Sequence, residues 1–300
     1  MKKKKMLSIL LAAAMCFGLL AGCGSDTAGE SGTETPAESE TETPAAEEEA
    51  EVAESAAGEG EEKPLDGVHL KMAINAEYAP FESVNEDGEI VGFDVELNEL
   101  LAEKLGYTYE IDDMDFTGLV PAIQSGRDDY CISALSTNEE REKVVDFTEG
   151  YYTPVTVILV PKGSEITSVA DLSGKKVGVQ LGSEFEAYAN SLEGAEVISY
   201  ESVTGAVKLI GTSELDCIIT DSSGAFGYIG TSGDTLEYRV IKTSETEGYF
   251  HPYCIVFPKD SEYVEIFNNA LDELVADGTM EELQEKWFGE DYTSSLEEAE

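Results

Sequence analysis

Apolar residues along this chain recur with two periods, two for strands and three to four for helices, and the two kinds of segment alternate. Val68, Leu70, Met72 and Ile74 alternate with other residues and predict a strand ending at Asn75. A loop with Tyr78-Ala79-Pro80-Phe81 follows, and Glu86-Asp87-Gly88 marks a hairpin turn. Phe93, Leu97, Leu100, Leu101 and Leu105 keep helical spacing, with acids in the first turn and Gly106 at the C-terminal stop. Tyr107, Tyr109 and Ile111 predict a strand, and Asp115-Phe116-Thr117-Gly118 leads into a short helix closed by Ser125-Gly126. Tyr130-Cys131-Ile132 is a buried strand. Strands are further predicted at 155–160, 176–180, 197–200, 217–220 and 253–257, and helices at 168–172, 183–189, 203–210, after Gly224, at 261–277 and at 280–288. Residues 294–300 are expected to fray.

Alternation of this kind means parallel sheets with helices on both faces, and such folds bind ligands outside the carboxyl ends of their strands. Each major strand here ends in a polar residue: Asn75, Ser133, Gln180 and Asp221. The first two precede Tyr151-Tyr152 and the last two follow it. Two βα halves with polar strand ends predict one site shared across a cleft.

The stretch from Tyr130 to Arg141 carries the clearest candidate chemistry. Ser133 to Thr137 are small or hydroxylated, and Asn138 is placed to cap a helix opening with Glu139, Glu140 and Arg141. Hydroxyls and free N–H groups at a helix start suit an anion, and the Arg141 fork matches a carboxylate in two bonds. Taken alone, the stretch is equally readable as a solvated helix on which Arg141 pairs with a neighbouring Glu.

Composition narrows the partners. The chain carries 63 acids against 18 Lys and Arg, a net charge of −45, which argues against nucleic acid and against charge-driven adhesion to anionic lipid. Residues 2–5 are lysines, and an apolar run of about 15 residues follows, too short to span a bilayer comfortably and proportioned like a signal peptide. It ends in Leu20-Ala21-Gly22-Cys23, which resembles a bacterial lipobox. That resemblance implies cleavage after residue 22 and a lipid on the Cys23 sulfur. Residues 23–66 are Gly, Ser, Thr, Pro, Ala and Glu with almost no large apolar side chain, the composition of a disordered acidic linker. Cys131, Cys217 and Cys254 sit in apolar runs at unrelated spacings, as buried free thiols do. His69 and His251 lie far apart, and no zinc motif is found. No metal or cofactor is expected.

Gly92-Phe93-Asp94-Val95-Glu96-Leu97, continued by Leu101-Ala102 and Leu105, resembles the family 3 extracellular solute-binding proteins that serve polar amino acid ABC importers. The likeness extends in order through Tyr78 to Phe81, Asp115 to Leu119, the Arg141 region with Val145-Asp146-Phe147, Tyr151-Tyr152, Phe257-Pro258-Lys259, Gly278-Thr279 and Lys286-Trp287-Phe288-Gly289. It spans essentially the whole folded part. The resemblance implies a type II periplasmic-binding-protein-like fold, two α/β lobes on a two-strand hinge that close on a ligand. Lobe one is then 67–150 plus 253–289, lobe two 151–252, and 290–300 a flexible tail.

The resemblance also implies roles. Arg141 would clamp the α-carboxylate of an amino acid, helped by Ser136. The carbonyl of Ala134 and the acid Asp221 would take the α-ammonium. Tyr78 and Phe116 would hold the side chain and Asn75 read its tip. For Asp221 a helix N-cap is the competing reading, for Tyr78 and Phe116 core packing, and for Asn75 a turn former. An amino acid zwitterion does need one buried cation and one buried anion, each costly without its partner.

Two positions depart from the family pattern. After Gly182-Ser183 stands Glu184, where a second hydroxyl is usual, so carboxylate binding from lobe two rests on backbone N–H groups or Ser183. Asn75 replaces an acid common in binders of cationic amino acids, which favours a polar, uncharged ligand, although Glu184, Glu77 and Gln180 offer polar or negative groups nearby. The expected function is an extracytoplasmic amino acid-binding subunit delivering to a permease and ATPase, anchored by lipid at the cell surface or in the periplasm, and monomeric. The alternatives are an enzyme on the same fold, resembling prephenate or arogenate dehydratase, and a sensor acting through a partner receptor.

Overall fold

The computed structural model describes residues 63–233 and 235–299. The expected signal peptide, Cys23 and all but the last residues of the acidic linker lie outside them.

The chain opens with β1 (His69–Ile74), whose Leu70, Met72 and Ile74 face one core while Ala73 faces another. The hairpin region forms three short strands, β2 (Glu77–Tyr78), β3 (Glu82–Val84) and β4 (Ile90–Val91), paired antiparallel in a small sheet that the apolar pattern is too short to reveal. Gly92 then admits helix α1 (Phe93–Leu105), which Gly106 closes in the left-handed conformation. β5 (Thr108–Asp113), a 3-10 turn over Phe116–Gly118, α2 (Leu119–Ser125) and β6 (Tyr130–Cys131) follow. After a 3-10 turn at Arg141–Lys143, β7 (Val145–Tyr152) carries the chain across to β8 (Thr156–Pro161).

The second half builds β9 (Lys176–Gln180), α3 (Glu184–Ser191), β10 (Glu196–Tyr200), α4 (Val203–Ala206), β11 (Cys217–Asp221), α5 (Ser222–Thr231) and β12 (Leu236–Val240). Ser183 caps α3 by accepting from the Glu186 N–H. β13 (Tyr253–Pro258) returns the chain, and α6 (Tyr263–Ala276) and α7 (Thr279–Ala299) finish it. α7 is interrupted at Gly289 and runs on through the segment expected to fray, ending at a buried Ala299 whose carbonyl accepts from Thr243 Oγ1.

Two five-stranded sheets result, ordered β5-β1-β6-β13-β7 and β10-β9-β11-β8-β12. Neither is purely parallel, which corrects the expectation. In the first sheet β13 runs antiparallel to both neighbours, and in the second β8 does. The reason is the crossing itself. β7 ends at the cleft, so β8 must start there and run away from it, against strands whose carboxyl ends face the cleft. β13, coming back, meets the same constraint.

Apolar side chains fill both faces of each sheet. α1 and α6 cover one face of the first sheet with Phe93, Leu97, Leu101 and Phe267, and α2 covers the other with Leu119 and Ile123. Phe185 and Tyr188 of α3, and Ala225 and Tyr228 of α5, do the same for the second sheet. Cys131, Cys217 and Cys254 are buried free thiols, as their apolar surroundings predict. At the crossings, Phe81 packs edge-on against Tyr152 at 4.9 Å and Tyr253 at 5.4 Å between ring centroids, a rigid base for the cleft.

Candidate functional site

The carboxyl ends of β1 and β6 face those of β9 and β11, so the four predicted strand ends converge. Gln180 Nε2 donates to Asn75 Oδ1 at 3.5 Å, and Tyr78 Oη lies against Thr220 Oγ1 at 3.0 Å and donates to Asp221 Oδ2. Tyr152 Oη and Ser223 Oγ are 2.7 Å apart. The cleft is closed, with polar groups of the two sheets paired across it.

Between them is a pocket enclosing about 300 Å³ of space not filled by atoms, open solvent at its mouth included. Eight of the ten predicted ligand-binding residues line it: Tyr78, Phe116, Ala134, Ser136, Arg141, Gln180, Ser183 and Glu184. Asn75 and Asp221 stand one hydrogen bond behind the wall, Asn75 through Gln180 and Asp221 through Tyr78 and Tyr253. Sequence reasoning missed Phe185, Phe250 and Tyr253, which also line it. Tyr253 was legible as the start of a crossing strand. Phe185 and Phe250 carried no signal, because their apolar spacing fits a helix and a loop equally well.

The segment after β6 is shaped by an acid pair that the sequence reading did not use. Ala134 takes a positive φ of 43°, rare for a residue with a Cβ. Its N–H donates to Asp94 Oδ2 at 2.7 Å, and Tyr151 Oη donates to the same oxygen at 3.0 Å. Asp94 lies carboxyl to carboxyl with Glu82, itself held by Ser133 Oγ at 2.7 Å. Both are fully buried, and Glu82 Oε2 and Asp94 Oδ1 have no other partner. Only a shared proton satisfies both oxygens. Burial accordingly pushes the Asp94 carboxyl up to about 7 and Glu82 well above the carboxylate range, with Asp94 adding to the rise at Glu82.

Asn138 caps as expected, its Oδ1 accepting from the N–H of Glu140 and of Arg141, but the helix it opens is only the 3-10 turn Arg141–Lys143. That short turn aims Arg141 inward rather than along a solvated helix. Its Nη1 donates to the Ser136 carbonyl at 2.6 Å and its Nη2 to the Gly182 carbonyl at 3.0 Å, one from each side of the cleft. The guanidinium lies 5.7 Å from the centroid of the Phe116 ring. No carboxylate pairs with it directly. Burial lowers its pKa, and Glu184 opposes the shift. The surface-pair reading of Arg141 is set aside by this geometry.

Asp221 fills two roles at once. Oδ1 accepts from the Gly224 N–H at 2.8 Å and caps α5, while Oδ2 accepts from Tyr78 and from Tyr253 at 3.1 Å. Burial raises its carboxyl, and these donors pull the other way. Glu184, at the start of α3, turns into the pocket. Its Oε2 accepts from Ser136 Oγ at 2.6 Å, its Oε1 is buried without a partner, and burial raises its pKa against the pull of Ser136, Arg141 and the nearby His251. Ser183 spends its hydroxyl on the Gln180 carbonyl at 2.7 Å.

A cation and an anion at the inner ends of two hinged α/β lobes define a cleft-binding protein of the type II periplasmic class. The chain belongs to the bacterial extracellular solute-binding proteins, family 3, whose profile matches residues 70–290. It is 36% identical over 288 residues to the arginine-binding extracellular protein ArtP of Bacillus subtilis, covering 95% of this chain and 98% of that one. It is 31% identical to the L-cystine-binding protein TcyJ of Escherichia coli, over 75% of this chain and 84% of the relative. Among solved structures, an ancestral arginine-binding protein bound to arginine superposes with a TM-score of 0.68 at 36% identity, covering 74% of this chain and 98% of the other. The arginine-, lysine-, histidine-binding protein ArtJ of Geobacillus stearothermophilus gives 0.67 at 30% identity, covering 74% and 95%. These relatives are binding proteins, and the chain is a solute-binding protein rather than a dehydratase-like enzyme.

Proposed function

We propose that this chain is the amino acid-binding subunit of an ABC importer, which closes its two lobes on one free α-amino acid and presents it to a permease. The observation that carries this reading is the placement of Arg141 and Asp221 at opposite sides of one closed pocket. Each is buried, and neither has a direct ionic partner of its own. A zwitterion supplies both missing charges. The α-carboxylate would lie on Arg141 and Ser136, and the α-ammonium on Asp221 and the Ala134 carbonyl. Tyr78 and Phe116 would flank the side chain, with Asn75 and Gln180 toward its tip and Ser183 at the mouth of lobe two. The ligand is a polar amino acid. Relatives named for arginine, histidine and cystine support that breadth.

In this reading Cys23 carries the lipid anchor and residues 23–66 tether a monomeric receptor domain to the membrane face. Palmitate labelling of the expressed protein, lost in Cys23→Ser, checks the anchor.

Calorimetric titration of ligand-stripped protein with the twenty amino acids and cystine tests the function. Micromolar binding of at least one, worth about 8 kcal/mol, is expected. No binding below millimolar by any of them would contradict it.

A further inference from the structure

Glu184 is the one acid in the pocket that the proposed zwitterion leaves over. Arg141 balances one carboxylate and Asp221 one ammonium, so an ionised Glu184 adds an uncompensated negative charge exactly where the ligand's own carboxylate arrives. Its Oε2 already holds the Ser136 hydroxyl at 2.6 Å, the donor that the ligand carboxylate would use. Its Oε1 is buried in the pocket wall with nothing to bond to. In the unliganded cleft the side chain thus stands in for the ligand carboxylate.

We propose that Glu184 takes up one proton when an amino acid binds, and that its neutral carboxyl then donates from Oε1 to the ligand's α-carboxylate. The inference rests on the reading of Arg141 as carboxylate partner. The balance is simple: the ionised Glu184, a zwitterion and one proton from solvent give a protonated Glu184 hydrogen-bonded to a carboxylate, with no bond broken in the ligand. A repulsion between two like charges becomes a charge-assisted hydrogen bond.

The groups facing Glu184 permit this. Arg141 faces it from the 3-10 turn, Ser136 from the strand end after β6, and exposed His251 from the crossing before β13, with its backbone N–H turned to the carboxyl. From β13, the Cys254 thiol is pushed up to about 12 by burial, with Glu184 adding to the rise, so it stays protonated and does not exchange the proton. Burial already holds the Glu184 pKa above its ordinary value before any ligand carboxylate adds to it. His251 is the one other group here with an ordinary pKa near neutrality, and the test must separate the two.

The test is calorimetry of the folded protein near pH 7 in buffers of different ionisation enthalpy, which reads protons taken up per ligand. The probe is the tightest binder of the amino acid panel; L-arginine and L-glutamine come first, as neither titrates in that range. Wild type should take up close to one proton, and its affinity should fall about tenfold per pH unit above neutrality. Glu184→Gln, whose amide imitates the protonated acid, should bind with no uptake and no such fall. His251→Gln should keep both. Binding by wild type without proton uptake, or uptake that survives Glu184→Gln, overturns the inference and leaves the amino acid reading standing. Absence of binding by any amino acid overturns that reading and this inference with it. Should Glu184→Gln fold poorly, Glu184→Thr, which restores a hydroxyl, is held to the same two outcomes.

Discussion

Arg141 spans the cleft as a single residue. With both ends of its fork on carbonyls of opposite lobes, it already helps hold the closed form, and a carboxylate entering beside Ser136 would replace weak acceptors with a charged one. Arg141→Ala should weaken amino acid binding by roughly 2–5 kcal/mol, because the ligand carboxylate is left buried and unpaired. Asp221→Asn should cost a similar amount while sparing the fold, since the amide oxygen still caps α5 through the Gly224 N–H. Calorimetry on both variants, with unchanged thermal melts as the control, checks this. Among residues, polarity at strand ends was enough to find these two. It could not show that the Tyr78 hydroxyl occupies Asp221 in the closed form, because that pairing joins positions 143 apart. Nor could it show the Glu82–Asp94 pair, since Asp94 reads from sequence as an ordinary first-turn acid.

That pair gives stability a pH dependence. Asp94 is raised in the folded protein from the ordinary 3.8 to about 7, so the native state binds protons that the unfolded chain has lost. Stability therefore falls as pH rises through that window, the sign opposite to that of a salt-bridged acid. In Glu82→Gln the amide donates permanently to Asp94 while its oxygen keeps Ser133. The melting temperature of the variant relative to wild type should thus climb between about pH 5 and 8, as followed by circular dichroism. A difference that stays constant with pH would count against a shared proton.

Among elements, the junction before α1 is the most constrained. Gly92 has φ 151°, and a Cβ there would lie 2.0 Å from the Phe81 carbonyl oxygen, within the aromatic base of the cleft. Gly92→Ala should lower stability by about 3 kcal/mol in urea titrations, since backbone rather than a flexible side chain must move. The helix over 93–105 and its Gly106 stop were legible because 3.6-residue periodicity and a left-handed cap are local properties. β12 and the small sheet of β2, β3 and β4 were not. Strands of two or three residues hold no period, and Leu236 to Val240 mixes charge with apolar side chains because only one end of the strand is buried.

At the scale of the whole molecule, alternation of strands and helices gave the two α/β halves and their shared cleft, while the antiparallel β8 and β13 follow from the crossings, which no residue pattern encodes. The same crossings make closure a hinge motion. Asp221 exchanges Tyr78 for water on opening, and for an ammonium when a ligand is enclosed, so the ligand's own charges decide how far the closed form is favoured. The central claim is that one zwitterion bridges Arg141 and Asp221. It is tested most directly by titrating ligand-stripped protein with the preferred amino acid and with the amine formed by removing its carboxylate. The account predicts that the amine binds weaker by roughly 2–5 kcal/mol, with Arg141 left without its charged partner. Equal affinity for the amine and the amino acid would contradict it.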